Sequence, residues 1–319
     1  MVCGHLQLFA SSTGNNKTAS SMSGSLKQVR ERIRSVQNTQ QITKAMKVVS
    51  AAKFRRAQQA IVQMRPYAEK LNKMLRNILS NMEGEADTVF GQERPVHKAC
   101  VVVVTSNRGL CGAFNSNVIK GAVRVINEEL ADVRRSGNLS ILCIGKRGYD
   151  FFRKRYTDCN MITDHVELFS NLNFDHVAPV ARQLMDAFQA KEYDRVYVAF
   201  GHFRNAATQF PVIEQWLPVA KIKPEPGADK KRADYIFEPD MKGLLDYLVP
   251  SILQTTFHRY LLDTHASEHG ARMTAMDKAT ENAEEMLKEL LINYNKARQE
   301  AITKEILEIV GGAAALEGA

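Results

Sequence analysis

Both ends of this 319-residue chain carry apolar side chains at alternating steps of three and four, the pattern of a supercoiled helix. At the N-terminal end the pattern covers two stretches, Leu26, Val29, Ile33 and Val36, and then Ile61, Met64, Ala68, Leu71, Leu75, Ile78 and Met82. Between them we predict a phase shift, after which the stripe continues through Ile42, Met46, Val49 and Ala52. A repeat of this length predicts a long helical rod.

The C-terminal end repeats the pattern. Its apolar and small positions are Met273, Met276, Thr280, Ala283, Leu287, Leu290, Tyr294, Ala297 and Ala301. Ile306 and Ile309 follow after a small slip in phase, and Gly311-Gly312 predicts the end of the helix. Since two long apolar stripes in one chain can bury each other, we expect the terminal helices to form an antiparallel coiled coil.

The middle of the chain alternates between strand and helix patterns. Runs rich in β-branched and other apolar residues predict strands over 98–105, 139–144 and 195–200, and residues 208–219 look extended. Helical patterns cover 115–135, 147–155 and 174–190. This alternation predicts an α/β domain with a largely parallel sheet.

These patterns divide the chain into five segments. We predict a flexible extension over 1–22, a coiled-coil helix over 23–84, the α/β domain over 95–220, a Pro/Gly/Lys-rich linker over 221–234 and a second coiled-coil helix over 235–319. The longest apolar run, Ala99–Val104, is far shorter than the roughly 20 residues of a membrane-spanning helix. No direct membrane span is therefore expected.

The basic charge of the chain is concentrated in its N-terminal helix. The net charge is +8, yet residues 23–80 alone contain 13 Lys and Arg against two acids, Glu31 and Glu69. Such a segment predicts an anionic partner, which could be nucleic acid, lipid headgroups or an acidic protein surface. Phe54 and Tyr67 are its only aromatic residues, so stacking on single-stranded nucleic acid is not favoured. A coiled-coil nucleic-acid-binding protein remains an alternative at this point.

Two short motifs suggest chemistry, and each has a simpler interpretation. The glycine loop over 105–112 follows a strand and precedes a helix, as phosphate loops do, and a stand-alone nucleotide-dependent enzyme would use it. It matches neither common phosphate motif, so a tight turn is favoured. His265, Glu268 and His269 match a zinc-binding pattern, but no third ligand is evident. No catalytic, cofactor-binding or metal-binding residue is predicted.

Three parts of the chain together resemble the γ subunit of F-type ATP synthases. They are residues 37–53 (QNTQQITKAMKVVSAAK), residues 107–115 (NRGLCGAFN), and a C-terminal block that includes 266–276 (ASEHGARMTAM), 294–305 (YNKARQEAITKE) and 308–313 (EIVGGA). The resemblance covers about residues 23–315. It implies an α/β protein in which a long antiparallel coiled coil joins a Rossmann-like central domain.

The resemblance also implies a function. The family forms the central rotor shaft that couples proton-driven rotation of a c-ring to ATP synthesis or hydrolysis, and it is not itself catalytic. The implied partners are the α and β subunits, the ε (and δ-type) subunit and the membrane c-ring, with no nucleic acid and no cofactor. The implied location is peripheral, on the cytoplasmic side of a bacterial inner membrane or on the matrix side of the mitochondrial inner membrane.

Six residues of this chain match positions at which the family contacts β subunits. The resemblance assigns them to two groups, Lys44, Met46 and Lys47 in the N-terminal helix, and Arg298, Gln299 and Thr303 in the C-terminal helix. The first group would face an acidic loop of the β subunits. The second would hydrogen-bond the β catch loop.

Overall fold

The computed structural model describes residues 15–81, 88–205, 209–219 and 241–317. Residues 1–14 of the expected extension and the expected linker 221–234 lie outside this described part. The helices are α1 (Asn15–Asn81), α2 (Phe114–Glu128), α3 (Ala131–Arg135), α4 (Lys146–Arg155), α5 (Phe174–Gln189) and α6 (Met241–Glu317). The strands are β1 (Ala99–Val104), β2 (Leu139–Ile144), β3 (Asn160–Ile162), β4 (Arg195–Phe203) and β5 (Gln209–Leu217). Short 3₁₀ helices cover Val89–Gly91 and Val166–Ser170.

The chain forms two compact units, one of Met1–Ala45 with Asp277–Ala319 and one of Met46–Met276. In the first unit, α1 pairs with α6. Thr43 Oγ1 lies 2.7 Å from Thr280 Oγ1, and Arg30 Nη2 donates to the Tyr294 hydroxyl at 2.7 Å. Because the later residue of α1 faces the earlier residue of α6, the helices are antiparallel. The predicted antiparallel helix pair is therefore confirmed.

The buried stripe of α1 runs without interruption, so the predicted phase shift is wrong. Its buried and half-buried positions step through Ile33, Val36, Gln40, Thr43, Lys47, Ser50, Phe54, Ala57 and Ile61. By contrast, Ile42 and Val49 are 58% and 56% exposed, Ala52 is exposed, and Met46 is half-buried. The hydroxyl of Thr43 donates to the Gln40 carbonyl at 3.0 Å, so it can be buried at little cost. In this stretch, a prediction based on apolar residues alone therefore picks the face of α1 that points outward.

The stripe of α6 matches its prediction, but the end of the helix does not. Every predicted position from Met273 to Ala301 is buried or half-buried. Ile306 and Ile309 are exposed, and the helix continues through Gly311-Gly312 to Glu317. Three alanines follow the glycines, and their high helix propensity opposes a cost of about 1 kcal/mol per glycine.

The helix α1 extends N-terminal to the predicted coiled-coil helix over 23–84. α1 begins at Asn15, within the segment 1–22 that was expected to be flexible. Extending an existing helix adds one hydrogen bond for each residue that is fixed, which is far less costly than starting a new helix.

The second unit contains a five-stranded sheet of order β3-β2-β1-β4-β5. β1 pairs in parallel with β2 and β4, and β2 pairs in parallel with β3. β5 pairs antiparallel with β4. Every residue of β1 and β2 is buried, as expected for strands covered on both faces. The predicted, largely parallel sheet is confirmed.

Helices cover both faces of this sheet. Val101, Val103 and Ile141 pack against α2, α3 and α4 on one face. Val102 and Leu142 belong to the opposite face, which packs against α5 and against parts of α1 and α6. Alternate residues of each strand therefore serve two separate cores. Elsewhere in the second unit, α1 and α6 pack directly together through a small cluster, Ala57, Ile61, Leu262 and Ala266.

The sequence missed two features of this unit. The predicted helix over 115–135 is divided into α2 and α3 at Leu130, whose side chain is 1% exposed. The backbone N–H of Leu130 still bonds to the Val125 carbonyl, so the chain turns without losing that bond. The three-residue strand β3 is too short to show a hydropathy period.

Candidate functional site

The glycine loop between β1 and α2 is held by hydrogen bonds within the protein. Ser106 Oγ donates to the Arg108 carbonyl at 2.6 Å, and the backbone N–H of Ser106 donates to Asn115 Oδ1 at 3.0 Å. Asn107 Oδ1 accepts the backbone N–H of Lys146 at 3.1 Å. These contacts fix the loop against the first turn of α4.

Arg272 of α6 binds the same loop. Its Nη2 donates to the Arg108 carbonyl at 2.9 Å and to the Gly109 carbonyl at 3.1 Å, and its Nε donates to the Gly109 carbonyl at 3.2 Å. Its Nη1 lies 2.5 Å from Glu268 Oε1, and both side chains are less than a tenth exposed. Burial raises the pKa of Glu268, and the neighbouring Arg272 partly opposes that rise.

The loop therefore has the wrong polarity for a phosphate. A phosphate loop directs backbone N–H groups at an anion. Here two carbonyl oxygens, those of Arg108 and Gly109, point at the Arg272 guanidinium.

The crevice where a doubly wound sheet usually binds its ligand is occupied by α6. The strand order reverses between β1 and β4, and ligands of such folds bind there, beyond the carboxyl ends of the strands. The Gly201 N–H at the end of β4 donates to Thr264 Oγ1 at 3.2 Å, and Ser267 Oγ donates to the Gly201 carbonyl at 3.1 Å. A Cβ atom at position 201 would lie 2.5 Å from the ring of Phe114. α6 thus occupies the crevice that the nucleotide-dependent enzyme would need.

The zinc-type motif forms a hydrogen-bonded row. His269 Nε2 lies 3.2 Å from His265 Nε2, and Arg272 Nη1 lies 3.2 Å from His269 Nδ1. Burial is the largest cause that lowers the pKa of His265 to about 4 and that of His269 to about 3. The rings are therefore neutral at pH 7. We assign the Nε2 proton of His269 to the bond with His265, because Nδ1 must accept from Arg272.

This arrangement does not favour a metal ion. Glu268 is paired with Arg272, and Lys53 of α1 adds a second positive charge near His265. Within residues 15–81, 88–205, 209–219 and 241–317, no group of three or more His, Cys, Asp or Glu side chains is placed to hold one.

Cys111 of the loop is buried and lies 3.1 Å from Asn115 Nδ2. Burial raises the pKa of its thiol, while Arg272 lowers it. A buried thiol with a raised pKa is a poor nucleophile. This environment suits a packing residue better than a catalytic nucleophile.

The predicted contact positions for β subunits are accessible to a partner. Lys44, Arg298, Gln299 and Thr303 are exposed, and Met46 and Lys47 are half-buried. Within the first unit, Lys44 follows Thr43, which faces Thr280, whereas Arg298 lies 18 residues beyond Thr280. That separation is roughly 27 Å along the helix axis. The structure therefore places Lys44 and Arg298 at two levels of the helix pair.

Sequence reasoning missed an exposed apolar group on α1. Ile42, Val48 and Val49 are 58%, 69% and 56% exposed, on the same stretch of helix as Lys44 and Lys47. The signal was present, because these residues fall outside an uninterrupted three-four repeat.

A helix can cross a bilayer only if it is long and apolar enough. Within the described residues, no helix combines the length and the apolar character that crossing a bilayer requires.

Comparison with known proteins gives a consistent result. A family model described as ATP synthase matches residues 25–316. The ATP synthase gamma chain of Cytophaga hutchinsonii is 50% identical over 293 residues, covering 92% of this chain and 99% of the relative. That of Flavobacterium psychrophilum is 49% identical with the same coverage.

Solved structures agree at the level of the fold. A chain of the Euglena gracilis mitochondrial ATP synthase, in an OSCP/F1/c-ring structure, aligns with a TM-score of 0.63 and 22% identity. The alignment covers 93% of this chain and 96% of that chain. A chain of the central stalk and c-ring of the Tetrahymena thermophila enzyme aligns with a TM-score of 0.51 and 22% identity, covering 75% and 99%.

Proposed function

The chain belongs to the ATP synthase gamma chain family, and on this premise we propose that it is a rotor with no catalytic site of its own. It is the central stalk subunit, which couples rotation to ATP synthesis or hydrolysis. The occupied crevice and the inverted polarity of the glycine loop support a non-catalytic role, since both oppose nucleotide binding here. ATP would then bind on other subunits of the complex.

The observation that carries this proposal is the exposure of charged and polar residues on the antiparallel helix pair of the first unit. A shaft changes the affinity of surrounding sites only if it contacts them differently at each angle. Lys44 and Arg298 are exposed at levels roughly 27 Å apart, so they can reach different segments of the surrounding subunits. The helix pair can therefore be contacted at two separate levels along its length.

The chemistry of these residues suits carboxylate partners. The planar guanidinium of Arg298 can bind a carboxylate with two parallel hydrogen bonds, and Gln299 and Thr303 supply neutral donors and acceptors beside it. Lys44 and Lys47 add positive charge near the half-buried, apolar Met46. We assign these six residues to contacts with acidic and polar loops of the β subunits.

The wider assembly follows from the same premise. We propose α and β subunits around the helix pair, and an ε-type subunit and the c-ring at the α/β domain. Since relatives at 50% and 49% identity come from bacteria, we place the complex on the cytoplasmic side of the inner membrane.

The test is a pull-down of the tagged chain from gently solubilised native membranes, with ATPase activity assayed on the eluate. We expect two larger partners in excess over the tagged chain, together with ATP hydrolysis. Recovery of the tagged chain alone, without ATPase activity, would contradict the assembly.

The isolated chain provides the control for the non-catalytic role. It should neither hydrolyse ATP nor bind a fluorescent ATP analogue in an anisotropy titration. Saturable binding, reduced by substitution in the loop over 105–112, would show that the crevice can open and would overturn this part of the proposal.

A further inference from the structure

The helix α4 has an unusual charge balance. Lys146, Arg147, Arg153, Lys154 and Arg155 are all exposed, and Asp150 is its only acidic residue. The opposite side of the helix is used by the core, where Phe152 is fully buried. α4 therefore presents five cations on a helix of ten residues, about 15 Å long.

These cations form no ion pairs within the described residues, although cations of neighbouring helices do. Arg135 lies 3.2 Å from Asp132, and Arg124 lies 4.0 Å from Glu128. Asp150 is four residues from both Lys146 and Lys154, a spacing that permits pairing, yet neither pair forms. The positive charge of α4 is thus left available to a partner.

Two of the guanidinium groups lie within cation–π distance of aromatic rings. The Arg153 guanidinium carbon lies 5.7 Å from the centre of the Tyr149 ring, and that of Arg155 lies 4.5 Å from the centre of the Phe151 ring. A guanidinium in a cation–π contact still has N–H groups that can bind an anion. A side chain restricted by such a contact also loses less entropy on binding.

The first turn of α4 is tied into the domain. The backbone N–H of Arg147 donates to the Ser106 carbonyl at 3.1 Å, and that of Gly148 donates to Thr105 Oγ1 at 2.8 Å. These backbone donors are occupied, so the attraction for an anion comes from the side chains. The surface is fixed to the sheet rather than carried on a loop.

From these observations we infer that the exposed face of α4 is a docking surface for an acidic protein segment. At about 100° per residue, Lys146, Arg147, Arg153 and Lys154 lie on one face with Asp150 among them, whereas Arg155 points to another side of the helix. A carboxylate-bearing helix or strand about 15 Å long would match those four cations. An interfacial membrane helix keeps an apolar face free for the bilayer, whereas that of α4 is buried in the core. Tyr149 and Phe151 are half-buried beneath guanidinium groups, which leaves little ring surface for stacked bases.

This inference goes beyond the shaft role and uses none of the six residues assigned to β contacts. It is tested on the full chain by fluorescence anisotropy with a labelled glutamate-rich peptide of ten residues, at low and at physiological salt. The variant Arg153→Glu/Lys154→Glu should weaken binding about tenfold, because two cations become anions.

A matched control variant separates the loss of the docking surface from the general effect of a changed net charge. Lys98→Glu/Lys120→Glu changes the net charge equally at two exposed lysines of the same unit, outside α4. It should change the affinity less than twofold. Equal weakening by both variants would overturn the proposal. Because the Arg153 guanidinium lies near the Tyr149 ring, a second variant, Lys146→Glu/Lys154→Glu, alters two side chains that make no ring contact with the described residues. It should weaken binding to a similar degree, and unchanged binding would overturn the proposal.

The class of partner is tested in the same assay. Vesicles containing phosphatidylglycerol and a short DNA duplex replace the peptide. If either binds more tightly than the peptide and loses affinity in the α4 variants, the acidic-protein assignment is wrong. Recovery of the ATPase complex is measured separately, so failure of this proposal is distinguishable from failure of the shaft role.

Discussion

The Arg272 guanidinium contacts four acceptors at once, the carbonyl oxygens of Arg108 and Gly109, the carboxylate of Glu268 and a ring nitrogen of His269. A shorter neutral side chain would leave Glu268 buried without its cation and the two carbonyls without a donor. Removing one member of a buried ion pair typically costs about 3–5 kcal/mol. Arg272 therefore contributes to the stability of the second unit chiefly by satisfying its neighbours.

We expect Arg272→Gln to lower the free energy of unfolding of the second unit by about 3–5 kcal/mol, as measured by urea denaturation. Arg134→Gln is the control, since Arg134 and its partner Asp158 are 28% and 49% exposed. It should cost below about 1 kcal/mol. Similar costs for the two variants would mean that the Arg272 contacts contribute little.

The paired histidines predict a dependence of stability on pH. In the folded chain the pKa of His265 is about 4 and that of His269 about 3, against about 6.5 for an unfolded histidine. Between these pKa values, the two histidines are therefore protonated in the unfolded chain but neutral in the folded chain. This contribution to stability is complete above about pH 6.5 and is lost as the pH falls towards 4, by up to about 1.4 kcal/mol per unit for each histidine.

Urea denaturation at pH 7.5, 6.5 and 5.5 checks this slope. His269→Gln should reduce this slope, because it removes one of the two histidines whose pKa is lowered by burial. Glu268 acts in the opposite sense, because its raised pKa makes the folded chain favour its protonated form as the pH falls. An unchanged slope in His269→Gln would contradict the buried, neutral assignment.

At the scale of elements, the pairing of the two long helices determines which isoleucines of α1 are buried and contribute to stability. Ile33 is 9% exposed on the buried stripe, and Ile42 is 58% exposed beside it. We expect Ile33→Ala to lower the free energy of unfolding by about 2–4 kcal/mol and Ile42→Ala by less than about 0.5 kcal/mol. Chemical denaturation followed by circular dichroism measures both. A larger cost for Ile42→Ala than for Ile33→Ala would instead support the phase shift predicted from the sequence.

The same helices show what sequence periodicity can and cannot reveal. The stripe of α6 was predicted residue by residue because its inward positions are apolar or small. In α1, the inward positions Gln40, Thr43 and Ser50 are polar, and the outward ones include Ile42, Val48 and Val49. Periodicity finds the buried face only where it is also the more apolar face.

The candidate site was less predictable than the fold. The sequence separated the glycine loop from known phosphate motifs, but it contained no local signal that Arg272, more than 160 residues later, would bind two of its carbonyls. Contacts between distant segments depend on topology, here on the return of α6 across the carboxyl ends of β1 and β4. The six residues assigned to β contacts rest on resemblance, and that assignment is still a prediction.

At the scale of the whole molecule, the residues that we assign to β contacts are predicted to contribute little to the stability of the free chain. Arg298 and Gln299 are exposed, so replacing both with alanine should leave the unfolding of the free chain unchanged. In the assembled complex, we expect the double variant to lower ATPase turnover about tenfold, equivalent to about 1.4 kcal/mol of coupling free energy.

The control for that comparison is Asn295→Ala/Lys296→Ala, at two exposed residues earlier on the same helix. It should keep most of the turnover. If both double variants retain full activity, the assignment of Arg298 and Gln299 to the catch contact fails, although the shaft role itself would stand.

The occupied crevice has a further consequence. Its occupant, the α6 segment containing Thr264 and Ser267, is part of the same polypeptide, so its effective concentration is constant and cannot be diluted. A free nucleotide would have to displace a tethered competitor that never diffuses away. The closed contact would therefore raise the apparent dissociation constant of a nucleotide at this crevice by the same factor at every ATP concentration, which would suit a subunit proposed to transmit motion rather than to respond to ATP.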